Sequence, residues 1–265
     1  MSSFVSGAMR RTLLSLVVSL AVVIVAQFVN PTSLVADERQ TTNQQSTQAP
    51  SRDQTLDIYR EAAEKWIPDI QKLTQDNATA GASDAVLCLG SSSFRIWDSI
   101  GVDMAPHRMV RRAFGGSKFS DLAIHIDQLI AGIEFKAVAI FVGNDITGEP
   151  DDKTPDEVAR LAAIVIERIR RERPTAKIYL IAVTPTPKRF GVWDKICESN
   201  NALEALANRI EDAVFIPTQD AFLGIDRKPK NELFQKDQLH LNAEGYRVWA
   251  AILKAAIERE ANNAK

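Results

Sequence analysis

From residue 84 onward, short apolar runs alternate with longer amphipathic stretches, and this pattern restricts the fold more tightly than any other feature of the chain. Residues 84–90, 137–142 and 177–183 are apolar at nearly every position and read as strands buried on both faces; 108–113 offers a second strand in chain order and 213–216 a short final one. Between them, 118–131, 155–173, 196–211 and 241–258 carry apolar residues at helical spacing. The third of these strands is preceded by a helix opened near Thr154 or Asp156 and followed by Pro174. A further helix over 54–75, with Leu56, Tyr59, Ala63, Trp66 and Ile67 on one face, precedes the first strand. Strands with no polar face need cover on both sides, so the pattern predicts an α/β fold with a parallel sheet between two helical layers.

The first 53 residues stand outside this alternation. Arg10 and Arg11 precede Thr12–Val29, which has no charged residue. A basic start followed by such a run reads as an export signal, or as a retained anchor, since about 20 apolar residues span a bilayer. Ala36 is a candidate last residue of a signal, although Leu34 is large for that motif. The paired arginines would stay inside, so the remainder would be periplasmic, secreted or held at the outer face of the membrane. Residues 37–53 are rich in Thr, Gln and Ser and read as a polar linker. The expected organisation is therefore 1–36 as signal or anchor, 37–53 as linker and 54–265 as the folded domain.

Composition narrows the function classes. With 45% apolar and 25% charged residues, the chain is neither a disordered nor a fibrous sequence. Lysine plus arginine (32) nearly balances aspartate plus glutamate (34), so no electrostatic footprint for nucleic acid exists. Cys88 and Cys197 match no zinc spacing, and the sequence leaves their pairing open.

In parallel α/β sheets, ligands bind beyond the carboxyl ends of the strands. Four segments there carry polar residues suited to chemistry. Gly90-Ser91-Ser92-Ser93 puts hydroxyls beside the free N–H groups of a helix expected to begin at Phe94, though a plain N-cap turn would look the same. Phe114-Gly115-Gly116-Ser117 lets the backbone approach a ligand. Gly143-Asn144-Asp145 offers a side-chain amide donor or simply a turn. Asp237-Gln238-Leu239-His240 pairs an acid with a histidine three residues later, close enough in a helical turn for the carboxylate to hold one ring nitrogen. Of the three histidines, His107 reads as a loop residue and His125 as a surface residue of its helix. Thr184–Arg189, after a strand, and Trp193 read either as a surface loop or as pocket wall.

Taken in order, these blocks resemble the SGNH hydrolases, the GDSL-type esterases and lipases, from about Val86 to Leu253. VLCLGSSSFRIW is similar to the family's first block, FGGSKFSDL to its second, VGNDI to its third and DQLHLNAEGYRVWA to its last. The resemblance implies a flavodoxin-like three-layer α/β/α sandwich on a mostly five-stranded parallel sheet. It also implies a serine esterase with Ser92 as nucleophile, His240 as base and Asp237 as its partner. The Ser92 and Gly116 N–H groups and the Asn144 amide would form the oxyanion hole. No cofactor and no metal is implied, although Asp145, Asp237 and His240 are ligand types. The lack of G-x-S-x-G, and an Asp only three residues before the His, argue against the α/β-hydrolase plan.

Two positions depart from the family pattern. Ser91 stands where an acidic residue is usual, and Val142 where the third block has Gly, which could reshape the oxyanion loop and pocket. The implied substrate is a carboxylic ester of a small molecule, glycan or lipid, with the absence of a long apolar lid favouring short acyl groups. Two other readings use the same fold: an O-acyltransferase on the same triad, and a non-catalytic membrane-tethered binding module. The intact Ser92, Asn144, Asp237 and His240 set speaks against the latter.

Overall fold

The computed structural model describes residues 52–263, so the apolar run, and all but the last two residues of the polar linker, lie outside the described residues. Five parallel strands form one sheet: β1 (Val86–Gly90), β2 (Met109–Ala113), β3 (Ala137–Phe141), β4 (Lys177–Ile181) and β5 (Ala213–Ile216). Their spatial order is β2-β1-β3-β4-β5. The chain winds outward from β1 in both directions, which opens a crevice between β1 and β3 at their carboxyl ends. Gly90 pairs with Ala113 on one side and Phe141 on the other, so the three strands end level beneath that crevice.

The helices, in chain order, are α1 (Arg52–Ala63), α2 (Ile67–Thr74), α3 (Asn77–Ala80), α4 (Ser92–Arg95), α5 (Ile100–Asp103), α6 (Phe119–Ile130), α7 (Pro155–Glu172), α8 (Trp193–Ala207), α9 (Gln219–Phe222) and α10 (Ala243–Asn263). Alternate strand residues point to opposite faces. Leu87, Leu89, Val138, Ile140, Ile178 and Leu180 pack against α1, α2, α6, α7 and α8. Val86, Cys88, Ala139, Phe141 and Ile181 pack against α4, α5, α9 and α10. This is the three-layer sandwich expected. Cys88 is buried under the second layer, and both cysteines are free thiols.

Most long elements fall where periodicity puts them, and the departures have physical causes. The helix expected over 54–75 is broken into α1, a 3-10 turn at Glu64–Trp66, and α2. Pro68 sits in the first turn of α2, where its missing N–H and its ring prevent continuation from the previous helix. α8 begins at Trp193 rather than 196 and ends at Ala207. α3, α5 and α9 are four residues each, too short for a periodic pattern to declare them. Among the described residues, no helix is long and apolar enough to cross a membrane.

One aromatic cluster fixes the crevice from below. Trp249 of α10 is fully buried, with ring centroids 5.2 Å from Phe94 of α4 and 5.0 Å from Phe141 of β3. Trp97 stacks on Tyr246 at 5.0 Å, and the Tyr246 hydroxyl donates to the Ser93 carbonyl at 2.8 Å. The helix that opens after β1 and the closing helix are thereby joined behind the site.

Candidate active site

The first wall of the crevice is the β1–α4 turn. Gly90 has φ +128°, and a Cβ there would lie 1.9 Å from the Phe141 carbonyl oxygen, so only glycine lets β1 end this close to β3. Ser91 is extended and buried, and its N–H donates to the Phe141 carbonyl at 3.0 Å. The helix opens at Ser92, two residues earlier than expected, which leaves the Ser92 N–H without an intrahelical acceptor. Ser92 alone of the three serines meets a histidine: its Oγ lies 2.9 Å from His240 Nε2.

That histidine comes from the loop before α10. Gln238 adopts φ +57°, so Asp237–His240 is a left-handed bend rather than the helical turn expected. The two side chains meet all the same: His240 Nδ1 lies 2.5 Å from Asp237 Oδ2. The other Asp237 oxygen accepts the N–H groups of Leu239 and His240, each at 3.0 Å. Desolvation raises the Asp237 carboxyl, but the His240 ring and the two backbone donors together outweigh it and hold it at about 2. A carboxylate only accepts, so the Nδ1 position carries the ring proton and Nε2 is left to accept from Ser92. The loop is pinned by Gln235 N–H donating to the His240 carbonyl at 2.7 Å.

The second block supplies Gly116, in the turn after β2, at φ +76°. Next to it, the buried Ser117 hydroxyl donates to the Gly90 carbonyl at 3.0 Å, which ties this turn to the end of β1. The third block follows β3. Asn144 Nδ2 donates to the Ser117 carbonyl at 3.0 Å, while its Oδ1 accepts from Arg189 Nη2 at 2.7 Å. Val142 is buried in the apolar core and does not line the cleft that holds Ser92, Asn144 and His240. Asp145 turns away from His240: its oxygens accept the Phe119 N–H at 3.2 and 3.1 Å, and it pairs with buried Lys153 at 3.6 Å. Burial pushes the Asp145 carboxyl up to about 6.

Ser92, Asn144 and His240 line one small cleft of about 30 Å³, together with Val183, Arg189 and Leu239. Of the segment read as loop or pocket, Thr184, Thr186 and Arg189 form cleft wall, whereas Trp193 does not. Sequence reasoning named Arg189 only as a pocket candidate. Its bond to Asn144 spans 45 residues and left no local signal. His125 corrects an expectation: it is buried, with Nε2 at 3.0 Å from the Ala63 carbonyl oxygen, because α1 covers its face of α6. His107 lies in a loop, as expected. Among the described residues, no group of three or more His, Cys, Asp or Glu side chains could hold a metal ion.

The model of the GDSL-like Lipase/Acylhydrolase family matches residues 76–248. No curated protein matches the chain. Among solved structures, a Streptococcus pneumonia protein named for platelet activating factor is 22% identical with TM-score 0.65, over 78% of this chain and 99% of that one. A GDSL-like lipase from Bacteroides thetaiotaomicron is 20% identical with TM-score 0.60, over 75% and 98%. The acetyl xylan esterase AlAXEase is 20% identical with TM-score 0.53, over 65% and 99%. At these identities the structures share the fold with this chain.

Proposed function

The chain belongs to the GDSL-like lipase/acylhydrolase family of ester-bond hydrolases, and from that premise we propose that it cleaves short-acyl carboxylic esters through Ser92, His240 and Asp237. The observation that carries this reading is the continuous line Ser92 Oγ–His240 Nε2, His240 Nδ1–Asp237 Oδ2, at 2.9 and 2.5 Å. His240 takes the proton as Ser92 Oγ attacks the ester carbonyl, and returns it to the leaving alcohol. Asp237, ionised at neutral pH, holds the ring tautomer and stabilises the imidazolium. The Ser92 and Gly116 N–H groups and Asn144 Nδ2 hold the oxyanion. Water, activated by the same histidine, then releases the acid.

The preference for short acyl groups rests on the size of the cleft. The cleft beside Ser92 is small, about 30 Å³, and its wall is mixed, with Thr184, Thr186 and Arg189 beside Val183 and Leu239, so it offers no long apolar groove for an extended acyl chain. Similarity to an acetyl xylan esterase is in keeping with this, and an acetylated glycan is one alcohol moiety that fits. The export reading of residues 1–36 would put this activity outside the cytoplasm, with the membrane met only through that segment.

Nitrophenyl esters of increasing acyl length test both parts. The rate should be highest for acetate and fall by butyrate. Ser92→Ala should lower kcat by roughly 10⁴ or more while Ser91→Ala and Ser93→Ala do not. Preference for octanoate, or full activity in Ser92→Ala, would contradict the proposal.

A further inference from the structure

A guanidinium inside the cleft is bonded to the oxyanion loop instead of to a carboxylate. Arg189 is half-buried, and its two terminal nitrogens donate to neighbouring acceptors, Nη1 to the Gly143 carbonyl and Nη2 to Asn144 Oδ1 at 2.7 Å. No ion pair of Arg189 with a carboxylate occurs among the described residues. Its backbone is equally fixed. Thr186 Oγ1 caps the 3-10 turn Pro187–Val192 by accepting the Arg189 N–H at 3.3 Å, and the Lys188 N–H donates to the Gln238 carbonyl at 3.0 Å. The segment thus bridges the Asn144 loop and the loop bearing Asp237 and His240.

We propose that Arg189 is the positioning residue of the oxyanion hole, fixing which way the Asn144 amide faces. The inference rests on the reading of Asn144 as an oxyanion donor. An arginine has donors only, so it can bond the oxygen end of that amide and never the nitrogen end. With Oδ1 held by Arg189 and one Nδ2 proton held by the Ser117 carbonyl, the second Nδ2 proton is directed by elimination and cannot be lost to an amide flip. A cation on the amide oxygen also polarises the group and makes its N–H a stronger donor. The effect should appear where charge develops on the substrate oxygen, hence in kcat and not in KM.

A double-mutant cycle on the full chain, read with nitrophenyl acetate, tests this. Arg189→Met should lower kcat about ten- to a hundredfold, less than the roughly 10²–10³ for Asn144→Ala itself, with KM little changed. In an Asn144→Ala background the same Arg189→Met change should alter kcat by no more than about twofold, the scatter of independent sites. Arg189→Lys keeps the charge and stem but loses the fork, and should recover part of the lost kcat if Arg189→Met folds poorly. Equal losses from Arg189→Met in both backgrounds, or a rise in KM with kcat unchanged, would overturn the proposal. Full kcat in Asn144→Ala would overturn it too. Residual full activity in Ser92→Ala would instead remove the nucleophile assignment and leave the coupling of 144 with 189 to be read as before.

Discussion

A serine hydroxyl is a poor nucleophile until a neighbouring base can take its proton, and here each group that answers that need is held by a second. His240 is oriented by Asp237, Asp237 by two backbone N–H groups, Asn144 by Arg189 and Ser117. The carboxyl of Asp237 is the most informative titrating group. Its folded value of about 2 lies below the roughly 3.9 of an unfolded aspartate. Its contribution to stability is therefore fully present above the unfolded value and is lost as pH falls through about 2. Asp237→Asn should be less stable than the wild type at neutral pH, and the margin should shrink as pH falls from roughly 4 towards about 2; chemical denaturation at several pH values measures it. The same variant should lose about 10⁴ in kcat, because an amide can hold the ring in the wrong tautomer. A stability margin that fails to shrink as pH falls below roughly 4 would contradict the hydrogen-bonded geometry of this pair.

At the level of elements, the site depends on how β1, α4 and α10 are fastened. Trp249 fills the space between Phe94 and Phe141 and is fully buried. Trp249→Ala should cost about 3–5 kcal/mol of folding stability. Because α4 carries Ser92, activity in that variant should be lost at a lower temperature than in the wild type, which parallel thermal denaturation and activity curves can show. Strands β1, β3 and β4 were legible in the sequence because nearly all their residues are apolar and buried, whereas β2, which carries Arg111 and Arg112, and the short, half-buried β5 were legible chiefly from the alternation around them. The carboxyl-end turns were legible because Gly90, Gly116 and Asn144 are residue types a close approach or an exposed donor requires. What was hidden depends on distant partners. His125 reads as exposed until α1 is laid over α6, and Arg189 reads as a loop cation until the fold brings it to Asn144. The Asp237–His240 bend could not be told from a helical turn by spacing, since both bring residues three apart together.

Across the whole molecule, residues 52–263 contain every group of the proposed machinery, and the sheet that positions them has helices on both faces. A protein beginning at residue 51 should therefore be soluble and should match the full chain in kcat with nitrophenyl acetate. Aggregation with loss of activity would mean that the preceding segment is needed by the fold. Cys88 is enclosed, with its thiol pushed up by burial, and it forms no disulfide with Cys197. Reductant should accordingly leave the melting temperature of that protein unchanged.

The central claim, that Ser92 is a nucleophile activated by His240, is tested most directly by a phosphonate ester that reacts only with activated serines. Peptide mapping by mass spectrometry should find a single adduct on Ser92 in the wild type, and none in His240→Ala under the same exposure. An adduct on Ser91 or Ser93, or labelling of Ser92 that persists without His240, would contradict the account.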